Sequence, residues 1–106
     1  MGFFKTLSLC VGLLIPTQLY ALEDETCKLL GQTAKMIMEL RQLNVPMSDT
    51  LAALSNIPET EEFNVQEALR SLTVDAYSSP RFSTEEMQLG AVGDFQNTVE
   101  LKCFET

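Results

Sequence analysis

The chain has 106 residues, which is enough for one domain at most. Seven Lys and Arg residues against fifteen Asp and Glu residues give a net charge of −8. Such a chain repels nucleic acid and anionic membrane surfaces, which excludes nucleic-acid binding and favours a basic protein partner. The sequence contains no His and no Trp, which excludes catalysis through His and metal ligation by His.

The N-terminal segment, residues 1–21, has the pattern of a secretory signal peptide. Lys5 gives a basic start, residues 7–15 form an apolar run, and Ala21 supplies the small residue of a cleavage site. The apolar run is shorter than the roughly 20 residues that a transmembrane anchor needs. We therefore expect a cleaved, periplasmic or secreted protein that keeps no stable membrane anchor.

The cysteine count supports export. Cys10 lies inside the signal segment, and Leu9 before it is too large for a lipoprotein cleavage site. Cleavage leaves 85 residues with a net charge of about −9 and two cysteines, Cys27 and Cys103. In an oxidising compartment these two are expected to pair.

Residues 22–44 are predicted to form one long helix. A narrow polar stripe recurs at steps of 4, 3, 4 and 3 residues, namely Lys28, Gln32, Lys35, Glu39 and Gln42. Most other positions are apolar or small: Cys27, Leu29, Leu30, Gly31, Ala34, Met36, Ile37, Met38, Leu40 and Leu43. A helix with so thin a polar side must be covered by its neighbours, so we expect it to be the central helix.

The end of this helix and the next helix follow from short signals. Asn44 tolerates a left-handed exit, and Pro46 cannot continue the helix. Ser48 is the predicted cap of a second helix that ends at Ser55. Its inward side chains are predicted to be Leu51, Ala52 and Leu54.

Two capping boxes predict the third and fourth helices. Asn64 with Glu67 opens a helix to about residue 78, and Ser83 with Glu86 opens one to about residue 104. The predicted inner side of the third helix is Val65, Ala68, Leu69, Leu72 and Ala76. That of the fourth is Met87, Ala91, Val92, Phe95, Val99 and Cys103.

Gly90 and Gly93 interrupt the fourth helix. They are interpreted as tight packing against the first helix near Gly31 or Ala34, with a hinge as the alternative. No segment shows the alternation of a strand. The predicted fold class is all-α: a small bundle of three to four helices joined by one disulfide between Cys27 and Cys103.

Little in the sequence indicates catalysis. Glu59, Glu61 and Glu62 could bind Ca²⁺, but the ligand alternation and glycine of a calcium loop are missing, which favours a solvated acidic connector. Two cysteines 76 positions apart fit neither a zinc site nor a redox pair. We expect a non-enzymatic protein without a metal or other cofactor.

One segment has the composition of a protein-contact site. Tyr77, Arg81 and Phe82 place two aromatic rings and a cation at a helix end, and Tyr and Arg are frequent in binding hot spots. The alternative is structural, with Tyr77 and Phe82 covering the bundle and Arg81 paired with Asp75. Arg41 is expected to hydrogen-bond loop carbonyls or a carboxylate.

These residues together resemble a group of small exported proteins of Gram-negative bacteria, their prophages and phages. The similarity consists of the signal peptide, residues 27–38 (CKLLGQTAKMIM), Arg41 with Gln42, Ala76 and Tyr77 before Pro80, and Phe95 ahead of Cys103. The group has no established activity. The resemblance implies a helical fold and the pairing of Cys27 with Cys103. Many relatives have Gly where this chain has Asn44.

Three functions compete at this point. The leading one is a non-enzymatic periplasmic binding or inhibitory protein, phage-encoded or not, acting on an envelope protein, a cationic wall-degrading enzyme or a toxin. The second is an acid-stress chaperone whose fifteen carboxylates lose charge near pH 5 to 3, exposing Met36, Met38, Leu40 and Leu43. The third is a phage lysis regulator of the antiholin kind, which would retain its N-terminal segment.

Overall fold

The structure is a computed structural model that describes residues 24–105, and these form four helices and no strand. Helix α1 covers residues 24–42, α2 Met47–Leu54, α3 Val65–Ser78 and α4 Glu85–Glu105. The predicted all-α bundle is therefore confirmed. The predicted signal peptide and the expected start of the first helix lie outside the described residues.

The hydrophobic core runs along one side of α1 and takes side chains from all four helices. Its buried members are Ile37, Met38, Leu54, Val65, Leu69, Ala76 and Val92. None of the helices in residues 24–105 is both long and apolar enough to cross a bilayer.

The disulfide joins α1 to the last turn of α4, which confirms the predicted pair. The sulfur atoms of Cys27 and Cys103 lie 2.02 Å apart and their Cα atoms 5.5 Å apart. Cys27 is buried and Cys103 half-buried. Because the two cysteines are 76 positions apart, the bond links the ends of nearly the whole described domain.

Helix α1 ends through the predicted left-handed residue. Asn44 has a φ of 66°, and the N–H of Val45 donates to the carbonyl of Leu40 at 3.0 Å. A hydrogen bond to the carbonyl five positions earlier is typical of a helix C-terminus that is followed by a left-handed residue. The short side chain of Asn tolerates that conformation better than most.

The helix starts were only partly predicted. Asn64 caps α3 by accepting from the N–H of Glu67 at 3.1 Å, as expected. Ser83 is not the cap of α4, because the hydroxyl of Thr84 accepts from the N–H of Met87 at 3.2 Å. Ser48 is not the cap of α2, which begins at Met47 after Pro46 with no side-chain cap.

Several predicted faces were wrong, and the reason is the position of the neighbouring helices. Ala52 and Met87 were placed inside but are exposed, whereas Thr50 and Thr73 are buried. On α1 the predicted polar stripe is correct for its first four residues, but Gln42 is buried at 3% exposure. Three apolar residues that were expected to be covered are exposed: Leu29, Met36 and Leu43.

The predicted role of the α4 glycines was also wrong. A Cβ added at Gly90 or Gly93 would meet nothing within 4 Å, and α4 is continuous through both positions. The close approach of α1 and α4 occurs at Gly31, where an added Cβ would clash with the side chain of Glu100. The tight packing is therefore on α1, nearer the disulfide, and it involves a flexible side chain of α4.

Candidate functional site: an apolar groove beside an acidic connector

An apolar groove lies between α1, the connector that leads from α2 to α3, and α3 itself. Its volume is about 390 Å³, and Ile57 is 38% exposed within it. Six apolar residues form most of its walls: Leu29, Leu30, Ile57, Phe63, Val65 and Leu69. Concave apolar surfaces of this size are where proteins commonly bind ligands or the anchoring side chains of partners.

The connector wall of the groove is held by hydrogen bonds to α3. The carboxylate of Glu59 accepts from the N–H of Val65 at 2.7 Å and from that of Gln66 at 3.1 Å. These are N–H groups of the first helical turn, which lack partners within the helix. Glu59 is therefore a helix-capping residue, which explains part of the acidic cluster noted in the sequence.

A second set of bonds fixes the other end of the connector. The side-chain amide of Gln66 donates to the carbonyl of Ile57 at 2.7 Å and to that of Leu54 at 3.1 Å. Phe63, half-buried, packs against the core from the same connector. The groove thus has a wall that is ordered before any partner arrives, which lowers the entropy lost on binding.

The groove has an acidic side. Glu62 is one of its lining residues, and Glu61 and Glu62 are both exposed in the connector. Within residues 24–105 no group of three or more His, Cys, Asp or Glu side chains could hold a metal ion. An apolar surface next to exposed carboxylates suits a segment that carries apolar side chains and a nearby Lys or Arg.

No known family model, curated protein or solved structure matches this chain. The resemblance to small exported proteins therefore stays a prediction.

The predicted contact segment around Tyr77 has structural roles. The hydroxyl of Tyr77 donates to the carbonyl of Val45 at 2.7 Å and shares a 2.8 Å hydrogen bond with Thr50. The guanidinium carbon of Arg41 lies 5.5 Å from the centre of the Tyr77 ring. The hydroxyl and the ring of Tyr77 thus both have partners within the bundle.

Arg81 and Phe82 are fixed by the end of α1. The Nε of Arg81 donates to the carbonyl of Gln42 at 2.9 Å, a partner that the structural alternative with Asp75 did not include. The N–H of Phe82 donates to the side-chain oxygen of Gln42 at 2.9 Å, and its carbonyl accepts from Gln88 at 2.7 Å. Arg81 remains exposed and Phe82 half-buried. Their role in partner binding stays a prediction.

Arg41 and Gln42 together hold the loop that follows α3. The Nε of Arg41 donates to the carbonyl of Ser79 at 3.1 Å, which confirms the expected bond to a loop carbonyl. The amide nitrogen of Gln42 donates to the carbonyl of Pro80 at 3.1 Å. Sequence reasoning placed Gln42 on the polar stripe and missed this role. Its position at the very end of the helix was the available signal.

The uncovered side of α1 was missed as well. We name five residues the outer seam: Leu29, Thr33, Met36 and Leu40 on α1, and Leu43 in the turn directly after it. They follow one another at steps of 4, 3, 4 and 3. Leu29 is 62% and Leu43 70% exposed, while Thr33 and Leu40 are half-buried. The spacing was visible in the sequence, but the abundance of apolar residues on α1 concealed it.

Proposed function

We propose that this chain is a small exported binding or inhibitory protein without enzymatic activity, whose groove holds an apolar segment of a basic envelope protein. Targets of this class include a cationic wall-degrading enzyme, a toxin or another protein of the bacterial envelope. The observation that carries the proposal is the groove, with Ile57 and Leu29 exposed in its walls and Glu62 beside them.

The charge of the chain supports this choice of partner. The net charge of −8 attracts a basic protein over a distance of about 10 Å at moderate salt, before any contact forms. The apolar walls then supply the affinity that surface charges alone rarely give. The charge attraction acts before the apolar contact forms. Added salt should therefore lower the association rate constant more than it raises the dissociation rate constant.

The disulfide supports the proposed location. A bond between Cys27 and Cys103 forms and persists in oxidising compartments and is rare in the cytosol of most organisms. An exported inhibitor also benefits from a short, cross-linked chain, because the envelope contains proteases that cleave unfolded segments. Location outside the cytoplasm remains part of the proposal.

The test is a capture experiment with groove variants. Mature protein is immobilised and exposed to periplasmic extract, and the proteins retained are identified. Ile57→Lys adds a positive charge to the groove and should abolish capture of a basic partner. Val74→Lys is the matched control, because Val74 is 47% exposed on α3 and does not line the groove.

A partner retained by the wild type and Val74→Lys but lost with Ile57→Lys supports the proposal. Capture that is equal for both variants contradicts it. The alternatives give other results. An acid-stress chaperone would suppress aggregation of a client at about pH 3, where carboxylates are protonated, with no dependence on Ile57. A lysis regulator would retain residues 1–21, which mass spectrometry of the exported chain detects.

A further inference from the structure

We infer that the outer seam of α1 pairs with the outer seam of a second copy of this chain, forming a homodimer. The seam runs from Leu29 to Leu43, and Met47 at the start of α2, after the turn at Asn44, is also exposed. Apolar residues at alternating steps of 3 and 4 are the pattern by which two helices pack along each other. This inference rests on α1: the seam shares Leu29 and Thr33 with the groove, but the dimer does not require a groove partner.

The seam and the side of α1 that faces the core point in different directions. The buried residues Cys27, Ala34 and Ile37 define the core side, with Met38 next to them. At 100° per residue, the mean direction of the seam is about 130–140° away from the mean direction of that side. Two separate apolar faces on one helix require two separate partners. The bundle supplies one of them.

Most apolar side chains of the seam are exposed in the described structure. Leu29 and Leu43 are more than half exposed, and Met36 and Met47 are 44% and 41% exposed. Single exposed apolar residues are ordinary, but a row of them along one helix is typical of an interaction surface. Gln32 and Glu39, both exposed, border the row on one side and would form a polar rim there.

The charge of α1 favours a second copy as the occupant. Residues 24–42 contain three acidic residues, Asp24, Glu25 and Glu39, and three basic residues, Lys28, Lys35 and Arg41. This helix is neutral in a chain whose net charge is −8. Two copies can therefore approach along α1 without the repulsion that their other surfaces would cause. A strongly basic partner would gain nothing from a neutral surface.

The length of the seam sets the expected affinity of the dimer. Fifteen residues from Leu29 to Leu43 span about 21 Å at a rise of 1.5 Å per residue. A contact along a single helix of this length is a small interface compared with stable complexes, which bury about 1,200–2,000 Å², so we expect weak association. A symmetric dimer with a dissociation constant on the order of micromolar is the expected result.

Pairing also affects the groove, because Leu29 belongs to both surfaces. A second copy lying on the seam would cover Leu29 and narrow one side of the groove. A groove partner and the second copy would then compete by mass action. The dimer does not need this competition in order to exist.

The experiment is sedimentation velocity on the mature exported chain, at concentrations from well below to well above about 10 µM. The wild type should shift from monomer to dimer across this range. Leu43→Lys and Met36→Lys should each raise the dissociation constant at least about tenfold. Leu101→Lys is the matched control, since Leu101 is 60% exposed on α4, away from the seam.

A wild type that stays monomeric at every concentration would overturn the inference. So would a dimer that survives both seam variants or is lost in the Leu101 control. A monomer whose seam variants lose a captured protein would assign the seam to another partner and also reject the dimer. Ile57→Lys should leave self-association intact, so a failed groove and a failed dimer are distinguishable.

Discussion

Two parts of helix α1 differ in how many of their side chains have a partner within the bundle. At its C-terminal end, Gln42 uses its side-chain oxygen, its amide nitrogen and its backbone carbonyl to bind the loop after α3. Along its outer seam, Leu29, Met36 and Leu43 stand exposed in the described structure. The same helix therefore presents a saturated polar end and an unsatisfied apolar side.

The difference separates stability from binding. Buried polar groups that lose a partner cost about 1–3 kcal/mol each, so the polar end makes the bundle sensitive to substitution. Exposed apolar side chains contribute little to the folding of one copy, so they can be changed without unfolding it. Substitutions at the two parts should therefore change different measurements, the melting curve in one case and association in the other.

The largest effect should come from the disulfide, which fastens the helix at its other end. Cys103→Ser opens a loop of 76 positions, for which the chain-entropy relation gives about 4.5 kcal/mol. We expect a loss of up to about 4 kcal/mol and a Tm lowered by roughly 15–30 °C. Thermal unfolding by circular dichroism measures this change.

Reduction of the wild type is the control for that prediction. Reduced wild type and Cys103→Ser should melt at similar temperatures, because both lack the same cross-link. A melting curve that reductant does not move would mean that the bond adds nothing to stability.

The next effect should come from the polar end itself. Gln42→Ala leaves the carbonyl of Pro80 and the N–H of Phe82 without their partner, and we expect a loss of about 3 kcal/mol. Gln32→Ala, an exposed glutamine on the same helix, should cost no more than about 0.5 kcal/mol. Urea unfolding of both variants measures the difference. Equal losses would show that Gln42 is not a special position.

Sequence reasoning predicted the helices well because their signals are local. Asn44 and Asn64 act through their own turns, and the structure uses both as expected. The two cysteines were paired by elimination once the signal segment was set aside. Gln42 was misplaced because helical period alone cannot show that the loop carrying Pro80 returns to the end of α1.

The groove could not be predicted for a similar reason. Ile57 and Leu29 are far apart in the sequence and meet only because Glu59 and Gln66 hold the connector against the start of α3. Such contacts depend on tertiary packing, which no local pattern encodes. The outer seam is different, since its spacing could be read directly, and only its exposure required the structure.

A smaller effect is expected at the tyrosine hydroxyl next to the polar end. Tyr77→Phe removes the donor to the carbonyl of Val45 and the partner of Thr50, while the ring and its contact with Arg41 remain. We expect a loss of about 1.5 kcal/mol in urea unfolding. Thr50→Val should cost less, because Tyr77 keeps its bond to Val45. The reverse order would contradict this account of the network.

The cap of α3 should contribute still less. Glu59→Ala removes the acceptor for the N–H groups of Val65 and Gln66, and we expect a loss of about 1 kcal/mol. Glu61→Ala is the matched control in the same connector and should leave the free energy of unfolding unchanged. If both variants lose the same free energy of unfolding, the loss comes from the change in net charge and not from the cap of α3.

The smallest effect on folding should come from the outer seam, and this gives the sharpest test of the contrast within α1. Leu43→Lys should change the free energy of unfolding by no more than about 0.5 kcal/mol at low protein concentration, because Leu43 is 70% exposed. Ile37→Ala, on the core side of the same helix, should cost about 3 kcal/mol because the side chain is fully buried. At high concentration the wild type alone should gain stability, since association favours the folded state. A concentration-dependent Tm in the wild type that disappears in Leu43→Lys would link the exposed apolar side of α1 to assembly, whereas equal Tm values at all concentrations would leave that side without a second copy.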